Sequence, residues 1–157
     1  MADIFSRSKR SAVMSRVRSA GNESTELRLI TLMRSAGITG WRRHHKLPGT
    51  PDFVFCRQRL AIFVDGCFWH GCPRCYRRPE SNRKFWDAKK AKNQARDRKV
   101  KTALRKRCWR VLRIWEHDLK NPKRCLGRIS AAIQTTAGPC FGIHSRHDKG
   151  HPPVPTH

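Results

Sequence analysis

"LPGTPDFVFCRQRLAIFVDG", residues 47–66, contains two apolar runs parted by a polar break, and the reading of those runs decides the fold. The first run, Asp52 to Cys56, follows a Pro/Gly turn and is rich in β-formers, and the second, Leu60 to Val64, follows Arg57 and Gln58. Two short adjacent strands joined by a tight turn are the simplest reading. Residues 82–107 carry a thin apolar stripe of Phe85, Ala88, Ala95, Val100, Ala103 and Leu104 among cations, which predicts one long helix. "WRVLRIW" at 109–115 predicts a third strand. A strand, a long helix and a strand in that order form a crossover unit, whose two strands run parallel with a right-handed connection. The C-terminal ends of both strands, Asp65 to Cys67 and Glu116 to His117, then emerge at one edge of the sheet, where open α/β folds place their sites.

Working outward, "STELRLITLMRSAG" (24–37) spaces Leu27, Ile30, Met33 and Ala36 in steps of three ahead of Gly37, the pattern of a helix and its stop. "PKRCLGRISAAIQ" (122–134) predicts a weaker last helix, and the Gly-, Pro- and His-rich stretch 137–157 reads as a disordered tail. A chain of 157 residues suits one domain with its own core, and no internal repeat divides it.

Charge narrows the partners. Thirty-five Lys and Arg face 11 Asp and Glu, a formal net charge of +24. Residues 74–128 hold 21 of those cations and only five acids. That is the electrostatic footprint of a nucleic-acid partner. No apolar run of membrane-spanning length exists, and the basic segment lacks the wide apolar face that lies in lipid, so no membrane partner is expected. No secretion signal is evident, so a reducing, cytoplasmic compartment is expected, where seven cysteines are not a disulfide framework.

Within "FVDGCFWHGCPRC" (63–75), Cys67, Cys72 and Cys75 stand at spacings of five and three, and the CPRC knuckle is of the type that seats Zn²⁺. The parallel pairing delivers His117 to the same edge as a fourth ligand, whereas Cys108 begins its strand at the far end. Cys67, Cys72, Cys75 and His117 are therefore the expected structural zinc site. Cys56, Cys108, Cys125 and Cys140 read as buried or incidental thiols. The competing reading of the CxxC pair is thioredoxin-like redox chemistry, against which the extra Cys67 and the run of arginines count.

Among the few acids, Asp87, Asp97, Glu116 and Asp118 sit amid cations and read as surface pairs. Asp52 and Asp65 differ, because one opens a β-run and the other closes one. Carboxylates at a sheet edge beside a phosphate-attracting surface are what a divalent-metal nuclease requires, since Mg²⁺ takes oxygen ligands and bridges to phosphate. Each also has a plain structural reading. Asp52 follows a proline and suits a turn, Glu26 sits in the first turn of a helix facing the macrodipole, and His70 is either a loop residue or a zinc ligand.

The stretches "RSAVMSRVR" (10–18), "STELRL" with Glu26, "LPGTPDFVF", "FVDGCFWHGCPRC", "FWDAKKAKNQARDRKV" and "CWRVLRIWEHDL" together resemble the very-short-patch (Vsr) DNA mismatch repair endonucleases over residues 10–119. The resemblance implies a restriction-endonuclease-like fold, with a mixed central sheet flanked by helices and a structural zinc. It implies Mg²⁺-dependent nicking of one DNA strand 5′ to the thymine of T:G mismatches that arise from deaminated 5-methylcytosine. Asp52 would bind the Mg²⁺, His70 would act as general base or orient the attacking water, and Glu26 would hold a water on that ion. Phe68, Trp69 and Trp86 would wedge into the base stack. Residues 1–136 would form the endonuclease domain, with 1–20 as a basic DNA-contacting segment. A monomer acting on the nucleoid, in association with mismatch-repair or methyltransferase proteins, completes the expectation. Two departures stand out. No lysine follows Asp65 where the restriction-type signature has one, so His70 would take over, and Asp65 falls where the family varies. His117 stands where many members carry cysteine. A non-catalytic zinc-bearing nucleic-acid binder is the alternative function, and a crowd of core aromatics is the alternative account of Phe68 and Trp69.

Overall fold

The computed structural model describes residues 23–135. The expected N-terminal DNA-contacting segment and the tail lie outside the described residues.

A π-type helical turn, Glu23–Leu27, leads into α1 (Arg28–Ser35), and two short strands follow, β1 (Phe53–Phe55) and β2 (Leu60–Asp65). The long α2 (Arg83–Lys106), β3 (Arg110–Trp115), a 3₁₀ turn (Glu116–Lys120) and α3 (Pro122–Gln134) complete the order. The result is a small α/β unit around a three-stranded mixed sheet of order β1-β2-β3. β1 pairs antiparallel with β2, Phe53 opposite Ile62, and β2 pairs parallel with β3, Asp65 opposite Trp115. The crossover read from sequence is present, and its ends meet where parallel pairing requires.

Both faces of the sheet are covered, so β2 reads as a continuous apolar run rather than an alternating one. On one face Phe53, Phe55, Leu60, Ile62 and Ile114 pack against Leu29 and Met33 of α1 and Cys125 and Ile129 of α3. On the other, Val54, Ala61 and Phe63 meet Leu104 and Val100 of α2. Side chains at successive strand positions point to opposite faces, which is why β1 divides Phe53 and Phe55 from Val54. Burial of each such Ile, Leu or Phe contributes about 1.5–3 kcal/mol.

Helix ends follow local chemistry. Asn121 accepts a hydrogen bond from the Arg124 N–H through its side chain, and Pro122 occupies the first helical position of α3. At the end of α1, Gly37 adopts φ +66° and the Ile38 N–H donates to the Met33 carbonyl at 2.9 Å, a left-handed stop. The helix read from the steps of Leu27, Ile30, Met33 and Ala36 is present, but those four residues do not all face the core. Leu29 and Met33 are buried while Leu27 is 42% exposed, because the π turn inserts a residue ahead of α1 and rotates the face that follows. Cys125 is buried in the core. Cys108, expected as an incidental thiol, is disulfide-bonded instead.

Candidate active site and metal centre

The antiparallel turn from β1 to β2 brings the start of one strand beside the end of the other. Asp52, just ahead of β1, therefore accepts a hydrogen bond from the Val64 N–H at 2.7 Å. Asp65 closes β2 at the same edge. Glu26, from the π turn, lines the same cleft of about 880 Å³ with Asp52, Asp65 and His70. All four residues expected to do chemistry thus share one cavity.

Two of the three acids carry an arginine. Arg43 Nη2 donates to Glu26 Oε2 at 2.5 Å, and Arg113 grips both oxygens of Asp65, Nη2 to Oδ1 at 2.9 Å and Nε to Oδ2. Asp52 has the Val64 amide. Burial pushes the Asp52 carboxyl up to about 6, the Val64 bond works against the rise, and the neighbouring Glu26 and Asp65 add to it. A carboxylate raised by desolvation and by like charges is one that a bound cation would relieve, and the donors facing it are oxygens, which suits a hard divalent ion.

His70 enters from the loop after β2. Its Nδ1 lies 2.7 Å from Asp97 Oδ2 on α2 and 3.8 Å from Asp65 Oδ1. Arg113 Nη2 also reaches Asp97 Oδ1 at 3.1 Å. Burial works to raise the Asp97 carboxyl, but the bonds from His70 and Arg113 outweigh it and hold the group below its ordinary range. α2 clamps the loop from behind: Asn93 Nδ2 donates to the Trp69 carbonyl at 2.8 Å and Gln94 Nε2 to the His70 carbonyl at 3.3 Å. Gly71 takes φ +64° there, and a Cβ at that position would meet Lys90 Cδ at 2.7 Å. The loop passes this closely under α2 because it lacks a side chain at that residue.

Next to the cleft, Cys67, Cys72, Cys75 and His117 offer ligand atoms within 4.8 Å of one another. His117 Nδ1 lies 3.3 Å from Cys67 Sγ and 3.4 Å from Cys72 Sγ. Ligands held about 2.3 Å (S) and 2.05 Å (N) from one tetrahedral Zn²⁺ would stand about 3.6 Å apart, near the two sulfur–nitrogen distances here, so the donor set suits a tetrahedral metal ion. Burial pushes the Cys67 thiol up to about 12, and the neighbouring Cys72 and Cys75 sulfurs add to the rise. Cys72 goes the other way: burial works against it, but the Arg74 and Cys75 amides hold its thiol below the ordinary range, and a cation is what would let sulfurs this close share negative charge. His117 Nε2 lies 3.5 Å from Asp118 Oδ1, which places a carboxylate beside the ring nitrogen that faces away from the thiols. Asp118 is itself buried and held by Arg128 at 2.6 Å. Glu116 Oε2 accepts from the Cys67 N–H at 3.3 Å, tying the loop to the end of β3.

The aromatics gather beyond the loop. Phe68 makes edge contacts with Trp69 and Trp86, both at 5.2 Å between centroids, and tilts over Tyr76 at 5.9 Å. Of the three expected wedges, Phe68 and Trp69 are half-buried, but Trp86 is only 8% exposed. The neighbouring Phe85 is 59% exposed, edge-on to Trp86.

Asp97 and Arg113 escaped the sequence reading. Asp97 looked like one more acid among α2 cations, which is what Asp87 is, in an exposed pair with Arg78. The available signal was spacing: Asn93, Asp97 and Val100 fall on one helical face, and all three line the cleft.

Residues 2–77 match the family described as DNA mismatch endonuclease Vsr. The type II nicking enzyme V.XorIIP of Xanthomonas oryzae pv. oryzae is 39% identical over 142 residues, which cover 88% of this chain and 99% of that protein. DNA mismatch endonuclease Vsr of Escherichia coli (strain K12) is 36% identical over 126 residues, 79% of this chain and 80% of its own. The type II nicking enzyme V.NaeI of Lentzea aerocolonigenes is 48% identical over 68 residues, 43% of this chain and 41% of its own.

Proposed function

The chain belongs to the Vsr family of DNA mismatch endonucleases, and from that membership and the cleft we propose that it nicks one strand of duplex DNA, 5′ to the thymine of a T:G mismatch, with Mg²⁺ as cofactor. The observation that carries the reading is the shared cavity, in which Asp52, an acid with no arginine partner among the described residues, faces the same space as an imidazole anchored through one nitrogen. On this reading the sheet and its helices are the core of a restriction-endonuclease-like domain over residues 1–136, with residues 1–20 along the DNA.

His70 is the proposed base. With Nδ1 committed to Asp97, the ring is fixed in the tautomer that leaves Nε2 to take a proton from the attacking water. Asp52 and Glu26 present the oxygens that would hold Mg²⁺ and its water, and Asp65 borders them. When bound, the ion supplies charge neutralisation at the phosphate. Cys67, Cys72, Cys75 and His117 would hold Zn²⁺ in a closed, structural role, keeping the His70 loop and the aromatics in place. Phe68 and Trp69, backed by Trp86, would enter the stack at the mismatch, where unstacking costs least. The net charge of +24 supports a DNA partner, and no helix among the described residues is long and apolar enough to cross a membrane. Action as a monomer on the nucleoid, beside mismatch-repair or methyltransferase proteins, belongs to the same proposal.

The test is a nicking assay on a T:G duplex and its T:A counterpart, with Mg²⁺ or with EDTA. Cleavage of the thymine strand of the mismatched duplex alone, and only with Mg²⁺, is expected. Equal cutting of both duplexes removes the specificity, and binding without cutting leaves the non-catalytic reading.

A further inference from the structure

Arg113 joins three elements that meet at the cleft. From β3, its Nε and Nη2 hold both oxygens of Asp65 at the end of β2, and Nη2 also reaches Asp97 Oδ1 on α2 at 3.1 Å. Asp97 passes its other oxygen to His70 Nδ1 at 2.7 Å, while Asp65 Oδ1 stands 3.8 Å from that same nitrogen. Two carboxylates therefore lie within reach of one ring nitrogen, and the one it pairs with sets the direction of the imidazole. The two acids are 4% and 14% exposed at the side chain, so their mutual repulsion is poorly screened. Arg113 is the cation between them, offsetting that repulsion, and its shape decides where each carboxylate points. Arg113 is itself buttressed: its guanidinium lies over the Phe63 ring, 5.4 Å from the centroid, and its carbonyl accepts from Arg128 Nη2 at 2.9 Å.

We propose that Arg113 is a positioning residue for the nicking reaction: by holding Asp65 at both oxygens and Asp97 at one, it reserves Asp97 for His70 and so fixes the direction of the base. A planar fork fixes the angle of two carboxylates, whereas the ammonium of lysine supplies charge without that geometry. The proposal rests on the reading of His70 as base. A direct phosphate contact is the rival role, since Arg113 lines the cleft, but its Nε and Nη2 are committed to carboxylates.

Arg113→Met and Arg113→Lys, each with its thermal midpoint recorded, are to be compared with wild type in single-turnover nicking of the T:G duplex, alongside Kd and its salt dependence. Both variants are expected to lose about tenfold or more in rate, because misplacement of a base by about 1 Å costs on the order of a hundredfold. Kd and its salt slope should stay within about twofold of wild type, and adding either change to Asp97→Asn should slow that variant little further, as groups acting as one unit are non-additive. Weaker binding with a salt slope lower by about one would make Arg113 a phosphate contact and overturn the proposal. Full rescue by lysine, or losses that multiply with Asp97→Asn, would overturn it as well. Crystals of Arg113→Met decide independently of activity: His70 Nδ1 is expected to leave Asp97, and retention of that hydrogen bond sinks the proposal even where wild type fails to nick. A silent wild type on its own would instead remove the nicking reading.

Discussion

His70 and Asp97 share a hydrogen bond of 2.7 Å, Nδ1 to Oδ2, across the gap between the sheet edge and α2. The two residues are 27 positions apart, and the bond selects which imidazole nitrogen is free. Asp97→Asn keeps the shape but can present an N–H to Nδ1, favouring the opposite tautomer. The nicking rate is expected to fall by about 10²–10⁴, the usual worth of an oriented acid–base group, with duplex affinity little changed. Single-turnover rates and a binding isotherm on the same T:G duplex check this, and an unaltered rate would place the pair outside the chemistry.

Asp52 makes a pH prediction whose sign is set by its environment. Its carboxyl is raised from 3.8 to about 6, so the folded chain binds that proton more tightly than the unfolded one. The resulting stability is fully present below pH 4 and is lost as pH climbs through about 6. At pH 8 and without Mg²⁺, Asp52→Asn should therefore be more stable than wild type, by on the order of 2–3 kcal/mol, with the gap closing toward pH 4. Mg²⁺ should raise the wild-type melting temperature and leave the variant's unmoved. Thermal melts across pH 4–8, in zinc-containing buffer with and without Mg²⁺, measure both effects, and a variant less stable than wild type at pH 8 contradicts them.

The cysteine cluster predicts one equivalent of zinc per chain, readable by elemental analysis. Folding free energy drawn from a closed Zn²⁺ site is large, about 10–16 kcal/mol in small zinc domains, so His117→Ala or chelation should lower the melting temperature steeply and release the His70 loop. His117→Cys should keep the metal, since a fourth thiolate completes the same tetrahedron. Zinc-free wild-type protein with an unchanged melt would remove the site.

How much of this could be read beforehand follows the range of the forces involved. The bounds of α3 agree with the sequence because its start is written locally, in Asn121 and Pro122. The parallel β2–β3 pairing was legible because handedness and connection length leave few alternatives. The buried face of α1 was not, since a π turn at Glu23–Leu27 shifts phase without an obvious residue signal. Asp97 stayed hidden for a different reason: its partners His70 and Arg113 come from other elements, and only the rotation of α2 about its own axis distinguishes it from Asp87. The cluster of Cys67, Cys72, Cys75 and His117 lies between these cases, with three ligands close in sequence and one delivered by topology.

Phe85 and Trp86 should separate under mutation, because adjacent positions on α2 leave one in solvent and the other inside. Trp86, 8% exposed and packed against Phe68 at 5.2 Å and Trp69 at 6.2 Å, supports the aromatic cluster from beneath. Trp86→Ala is expected to cost about 3–5 kcal/mol of stability, the range for deleting a large buried aromatic. Phe85→Ala removes a ring that is 59% exposed and should leave the melt almost unchanged. Phe68→Ala and Trp69→Ala should each weaken binding to T:G duplex by about 1–3 kcal/mol, the measured worth of one base-stacking aromatic. Affinity for matched DNA, carried by phosphate contacts, should change far less. If Phe85→Ala also loses mismatch affinity, the exposed ring belongs to the wedge and Trp86 is its support; if Trp86→Ala loses affinity at full stability, the burial of that indole is not what keeps the cluster in place.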